Sequence, residues 1–204
     1  MTAAVLPARR PLVLASSSRY RRELLGRLGL PFEAASPAID ETPRPAEHGA
    51  ALATRLALAK AAALVPSYPT ALLIGSDQTV SCAGRVLGKP GTHAAARAQL
   101  AAAAGQEVHF DTAVCVLEAA SGRSRSAVVR TTVEFRPLTR DEIECYLARE
   151  PAYDCAGAFK VETLGIALCR RIDGPDPTAL IGLPLIALCD LLAAFGVSPL
   201  SPGQ

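Results

Sequence analysis

The sequence predicts a mixed α/β fold, and three observations carry that reading. Short apolar runs alternate with alanine- and leucine-rich stretches whose apolar positions recur with helical period. Two long Val- and Thr-rich runs, 108–117 and 126–135, are separated only by the turn Ala120-Ser121-Gly122-Arg123, which adds one antiparallel hairpin. Glycines at 29, 105 and 196 stand where helical patterns end. The 204 residues show no internal repeat and no linker, so residues 1–204 read as a single domain long enough for a full core.

Taken in order, the apolar run 11–15 reads as a first strand and stops at three serines. A helix follows, with Ser18 as N-cap, Leu24, Leu25 and Leu28 on one face, and Gly29 as the stop. Residues 31–35 read as a short second strand, ending in the loop SPAIDETPRP, whose prolines leave Asp40 and Glu41 exposed. Residues 49–65 form a strong helix with Leu52, Leu56 and Leu64 on its apolar side, and Lys60 sits in an otherwise bland surface. In ALLIGSDQTV, 71–80, the run 72–74 reads as a strand buried on both faces. Its expected end at Gly75-Ser76-Asp77 delivers a carboxylate to the strand's carboxyl end, where α/β proteins bind ligands. The turn 87–91 carries Lys89, and its GKP is no Walker loop, because the upstream glycine spacing is wrong. A helix over 93–104 precedes the hairpin, and Thr139 caps a helix to about Arg149 with Asp141 and Glu142 in its first turn. Residues 152–166 form a compact loop bracketed by Gly157 and Gly165 and holding Asp154, Lys160 and Glu162. A last strand over 166–172 and a terminal helix starting at Pro184 complete the chain, with 198–204 as a frayed tail.

Composition excludes several classes of function. A net charge of +2 and 4% aromatic residues leave no nucleic-acid footprint. No apolar segment reaches the ~18 residues of a membrane span, and the arginines at 9 and 10 follow a short apolar patch, the wrong order for a secretory signal. Six cysteines are scattered singly without metal-ligand spacing, as expected of thiols in a reducing cytoplasm. His48, His93 and His109 each stand alone and read as surface or structural residues.

Two anomalies point to chemistry. Arg19, Arg21 and Arg22 crowd a helix start, where the dipole disfavours cations and a surface helix would carry acids. A serine cluster, free amides and arginines together describe an anion site of the kind that suits phosphate, against the plainer alternative of a solvated basic turn. Of 21 basic residues only Lys60, Lys89 and Lys160 are lysine. A lysine kept in an arginine-rich background marks a place where a compact ammonium is wanted. With Glu41, Asp77 and Glu162 in loops or at element ends, these cations match what hydrolysis of a nucleotide phosphoanhydride requires.

At these residues the sequence resembles the Maf family of nucleotide pyrophosphatases. The likeness covers 12–194 through ASSSRYRRELL, IDETP, Lys60, IGSDQ, LGKPG, YDCAGAFKVETLGI and IGLPLIAL. It implies a mixed central sheet flanked by helices, as two lobes with a cleft between them. It also implies release of pyrophosphate from a nucleoside triphosphate with Mg²⁺ or Mn²⁺, and a homodimer. By the same resemblance Asp77 is the proton acceptor for water, and Glu41 joins it in holding the metal. Ser16, Arg21, Arg22, Lys60, Lys89 and Lys160 then line the triphosphate site. Arg19 departs from the pattern, since relatives carry proline there, and only extra positive potential is expected from it.

Tyr20, Gln78 and Glu162 resemble the set that sets base choice in the branch acting on 7-methyl-GTP, with Tyr20 in place of a tryptophan. N7-methylation leaves guanine cationic, so a tyrosine face gains ~0.5–2 kcal/mol by stacking on it. Glu162 can accept from the guanine N1–H and exocyclic amine. The plainer roles are helix packing against Leu24 for Tyr20 and a salt bridge to Lys160 for Glu162. Two rivals stand beside this reading: a housecleaning pyrophosphatase for UTP, dTTP or other nucleotides, and a nucleotide-binding regulator of cell division with little turnover.

Overall fold

The computed structural model describes residues 10–201. The opening residues 1–9, read as no secretory leader, and the last three of the tail read as frayed lie outside the described residues.

β1 (Leu12–Ala15) lies parallel to both β2 (Glu33–Ala35) and β3 (Leu72–Cys82). β5 (Glu107–Glu118), β6 (Ser124–Phe135) and β7 (Cys169–Asp173) continue antiparallel from β3. A short β4 (Arg85–Leu87), unforeseen from sequence, folds back on β3 through Ala83 and Gly84, both at positive φ as a tight hairpin turn demands. The sheet order is β2-β1-β3-β5-β6-β7, so the class is mixed α/β as expected.

One boundary is corrected. β3 does not stop at Gly75-Ser76-Asp77 but runs to Cys82, paired with β5 without a break from Leu72↔Glu118 to Cys82↔Val108. A Gly-Ser pair reads locally as a turn, but a long antiparallel partner holds it extended. Asp77 is therefore in mid-strand. It still lies just past the carboxyl end of the neighbouring parallel strand, because β1 stops at Ala15, opposite Gly75. The ligand crevice belongs to β1, not to β3.

β3 and β5 run through two separate cores. Leu72, Ile74, Val114 and Val116 pack with Leu14, Leu25, Leu188 and Leu192 in one. Val80, Val108 and Phe110 pack with Leu100, Phe135, Leu147 and Phe159 in the other. Between them the strands carry Ser76, Asp77, Thr79, Asp111 and Thr112, all buried and all polar. Two lobes share one sheet, and a polar waist crosses it.

Helix α1 (Arg19–Gly26) and α5 (Leu185–Ala193) belong to the first lobe, and α3 (His93–Ala103) and α4 (Arg140–Arg149) to the second. α2 (Ala50–Ala63) lies over the waist. Its residues Ala53, Ala57 and Ala61 recur every four positions on one fully buried stripe. Gly75 completes the fit: a Cβ there would lie 1.9 Å from the Ala57 carbonyl oxygen. Only glycine lets the helix backbone press this close to β3, and that approach brings Lys60 to the waist.

Candidate active site

A cleft of about 730 Å³ opens over the waist. Its walls come from the start of α1, the loop through Glu41, α2, the middle of β3, the turn at Lys89 and the loop 154–162.

At the start of α1, Ser18 caps the helix by accepting from the Arg21 backbone N–H at 3.4 Å, and Ser16 Oγ accepts from the Ser18 N–H at 3.1 Å. The serines thus shape the turn, and no acid offsets the first-turn arginines. Arg21 turns into the cleft, where its Nε donates to the Gly182 carbonyl at 2.8 Å. Burial pushes its guanidinium below the usual arginine value, against the opposing charges of Asp77 and Glu41.

Lys60 is buried, which corrects its placement on a bland surface: an alanine-rich helix face looks featureless in sequence but is the face pressed to the sheet. Its Nζ lies 2.6 Å from Asp77 Oδ1 and 2.8 Å from Glu41 Oε1. Asp77 is nearly enclosed, while Glu41 keeps 58% of its side-chain surface exposed. Burial would raise the Glu41 carboxyl, but the Lys60 hydrogen bond and the charges of Lys60, Lys89 and Arg21 hold it below the ordinary carboxylate range.

Gln78, next along β3, presents its side chain on the opposite face from Asp77, and its amide nitrogen donates to Thr112 Oγ1 at 2.9 Å. Tyr20 and Glu162 also line the cleft. Arg19, expected to add only potential, does more. Its guanidinium carbon sits 4.7 Å from the centre of the Tyr20 ring, and one nitrogen donates to the Tyr20 hydroxyl at 2.8 Å.

Nine of the expected site residues thus meet in one cleft: Ser16, Tyr20, Arg21, Glu41, Lys60, Asp77, Gln78, Lys89 and Glu162. Two do not line it. Arg22 is exposed and lies outside the wall, one helical turn beyond Arg19. Lys160 stands behind the wall, 3.5 Å from Asp154 Oδ1 and beside the Tyr20 hydroxyl. Burial opposes its charge, but Tyr20 and the negative charge of Asp154 outweigh it and raise the ammonium above its usual value. Lys160 pairs with Asp154, so the salt bridge considered for Glu162 is made elsewhere. Asp154 itself lines the cleft and went unassigned from sequence. Its separation from Lys160 by six positions in a glycine-rich loop was the available signal.

All six cysteines are free. Cys155 lines the cleft, and burial, reinforced by Asp154, pushes its thiol up to about 12, so at neutral pH it is no nucleophile.

Two carboxylates bridged by a buried ammonium, with Arg21 and Lys89 lining the same space, give an α/β protein a cleft whose charges suit a phosphate-bearing ligand. The chain belongs to the Maf family, whose description, Maf-like protein, matches residues 11–195. It is 55% identical over 195 residues to a 7-methyl-GTP pyrophosphatase of Polaromonas sp., covering 96% of this chain and 89% of that one. Relatives of the same description in Thiobacillus denitrificans and Nitrosococcus oceani are 52% and 51% identical, each over 93% of this chain and 94% and 96% of their own. A crystal structure of a nucleoside-triphosphatase / dITP/XTP pyrophosphatase from Mycobacterium abscessus aligns over 71% of this chain and 97% of its own, at 17% identity and a TM-score of 0.41.

Proposed function

We propose that this protein is a nucleoside triphosphate pyrophosphatase that hydrolyses 7-methyl-GTP to 7-methyl-GMP and diphosphate. The observation that carries the chemistry is Asp77, a carboxylate held in mid-strand by Lys60 at 2.6 Å and facing a cation-lined cleft. Asp77 takes the proton of the attacking water. Lys60 holds the carboxylate in place, while Arg21 and Lys89 neutralise charge on the phosphoryl oxygens. Lys160 acts from behind the wall, through Tyr20 and Asp154. Tyr20, Gln78 and Glu162 read the base, and the relatives named for 7-methyl-GTP support that choice over UTP or dTTP.

A divalent cation, Mg²⁺ or Mn²⁺, belongs to the proposal. Glu41 and Asp77 converge on one cationic point, and two carboxylates completed by phosphate oxygens and water suit such an ion. Among the described residues no group of three or more His, Cys, Asp or Glu is placed to hold a metal, so the rest of the ion's shell is assigned to phosphate oxygens and water. Bound there, the ion would supply Lewis-acid polarisation of the phosphate.

The free state of all six thiols supports a cytoplasmic location. No helix among the described residues is long and apolar enough to cross a membrane. A homodimer is the proposed assembly, and Ile186, 56% exposed on α5, is the kind of apolar surface it would use. The test of function is pyrophosphate release from 7-methyl-GTP, GTP, UTP, dTTP and ATP with Mg²⁺ or Mn²⁺, with Asp77→Ala as control. Selective release from 7-methyl-GTP, lost in the variant, is expected. Preference for UTP or dTTP would refute the base choice, and binding without release would favour a regulator.

A further inference from the structure

Gln78 is tied down from one side only. Besides Thr112 Oγ1, its amide nitrogen lies 3.1 Å from both the Ala179 and the Leu180 carbonyl oxygens, in the 3₁₀ turn Ala179–Ile181. Thr112 Oγ1 spends its single proton on the Ala179 carbonyl at 2.9 Å, so toward Gln78 it can only accept. All three partners are acceptors. Turned through 180°, the amide would aim its own oxygen at three oxygens, so one orientation is enforced. The group left for the cleft is Gln78 Oε1, which has no hydrogen-bond partner among the described residues and is not one of their buried unpaired atoms. Thr112 is fully buried, sits opposite Gln78 across the β3–β5 ladder and does not line the cleft.

We infer that Thr112, with the Ala179 and Leu180 carbonyls, is a positioning residue that makes Gln78 a hydrogen-bond acceptor only, so that the cleft selects a base with a donor edge. The inference rests on the nucleotide reading above. Glu162, as a carboxylate, likewise only accepts. A purine carrying N1–H and a 2-amino group offers donors to both. A base with a carbonyl at C2 sets oxygen against oxygen and leaves a desolvated acceptor unpaired, the situation in which polar sites discriminate most strongly.

The experiment compares kcat/KM for 7-methyl-GTP, its 2-deamino analogue 7-methyl-ITP, and the C2-carbonyl analogue 7-methyl-XTP. The proteins are wild type, Thr112→Val (Thr112→Ala should that not fold), Thr112→Ser and Gln78→Met, each with its melting temperature. Wild type should favour the guanine form over the xanthine form by about tenfold or more. Thr112→Val should cut the guanine-to-inosine ratio by about three- to tenfold, with the inosine value within about twofold of wild type, whereas a purely structural defect would lower both alike. Thr112→Ser should restore the ratio, and Gln78→Met should lower it with Thr112 intact. Equal use of xanthine and guanine forms by wild type would overturn the inference. So would an unchanged ratio in a folded Thr112→Val or in Gln78→Met. No turnover of any of these nucleotides by wild type would overturn the nucleotide reading itself and the inference with it.

Discussion

At one end of the cleft Lys60, Asp77 and Arg21 stand on α2, β3 and α1, each buried or partly buried and each held by a short polar contact. Elsewhere in the cleft Glu162 and Asp154 are the exposed residues of a loop whose middle, Ala158 and Phe159, is buried in the second core, and Tyr20 carries Arg19 against its ring. The first arrangement fixes charges before a ligand arrives, which is what stabilising phosphoryl charge requires. The second can be retuned by single substitutions without disturbing the sheet. Of the groups proposed to read the base, only Glu162 stands on a loop, while Tyr20 and Gln78 share α1 and β3 with the charged set, so Asp77 and Glu162 are the pair whose mutations should differ most in effect.

The largest effect belongs at the rigid end. Asp77→Asn keeps the shape and a contact to Lys60 but removes the proposed base, so kcat should fall by about 10²–10⁴-fold, read by pyrophosphate release at saturating metal and nucleotide. Gly75→Ala strikes the scaffold of that end, since its Cβ would meet the Ala57 carbonyl at 1.9 Å. A loss of about 3 kcal/mol is expected in urea unfolding. A small loss would mean that α2 can lift from β3 and that the end is less rigid than described.

Smaller effects belong at the base end. Arg19→Pro removes the guanidinium 4.7 Å from the Tyr20 ring, where it would compete with a cationic base stacking on the same aromatic surface. KM for 7-methyl-GTP should fall by about two- to threefold, while KM for unmethylated GTP stays put. A rise in both would show Arg19 serving the phosphates instead. The smallest effect is acidic. Because the folded-state carboxyl of Glu41 is depressed below its ordinary 4.5, its stabilising contribution is fully present above that value and is lost as pH falls through the depressed one. The melting-temperature difference between wild type and Glu41→Gln should therefore be small at pH 7, given Glu41's exposure, and vanish in strong acid.

What was legible in the sequence follows the same division. The start of α1 could be read because an apolar run, a capping serine and misplaced arginines are all local signals. The hairpin of β5 and β6 was legible for the same reason. The course of β3 through Gly75-Ser76 was not, because its partner in β5 lies some forty positions away. Nor was the burial of Lys60, which depends on Gly75 admitting a helix that looks uniformly bland. The amide lock on Gln78 was further out of reach, since its carbonyl partners lie 101 and 102 positions along the chain. Residue types at the site were readable, and their pairings, Lys60 with two carboxylates and Lys160 with Asp154, were set by tertiary contact.

The most direct test of the division between chemistry and choice is the ratio of kcat/KM for 7-methyl-GTP to that for UTP, measured in wild type and in Glu162→Gln. Glu162 lies on the adaptable side and touches none of the Lys60–Asp77–Glu41 set. The expected result is a ratio that falls by about tenfold or more in the variant, with kcat on the better substrate within a few-fold of wild type. A ratio left unchanged, or a kcat that collapses on every nucleotide alike, would contradict it.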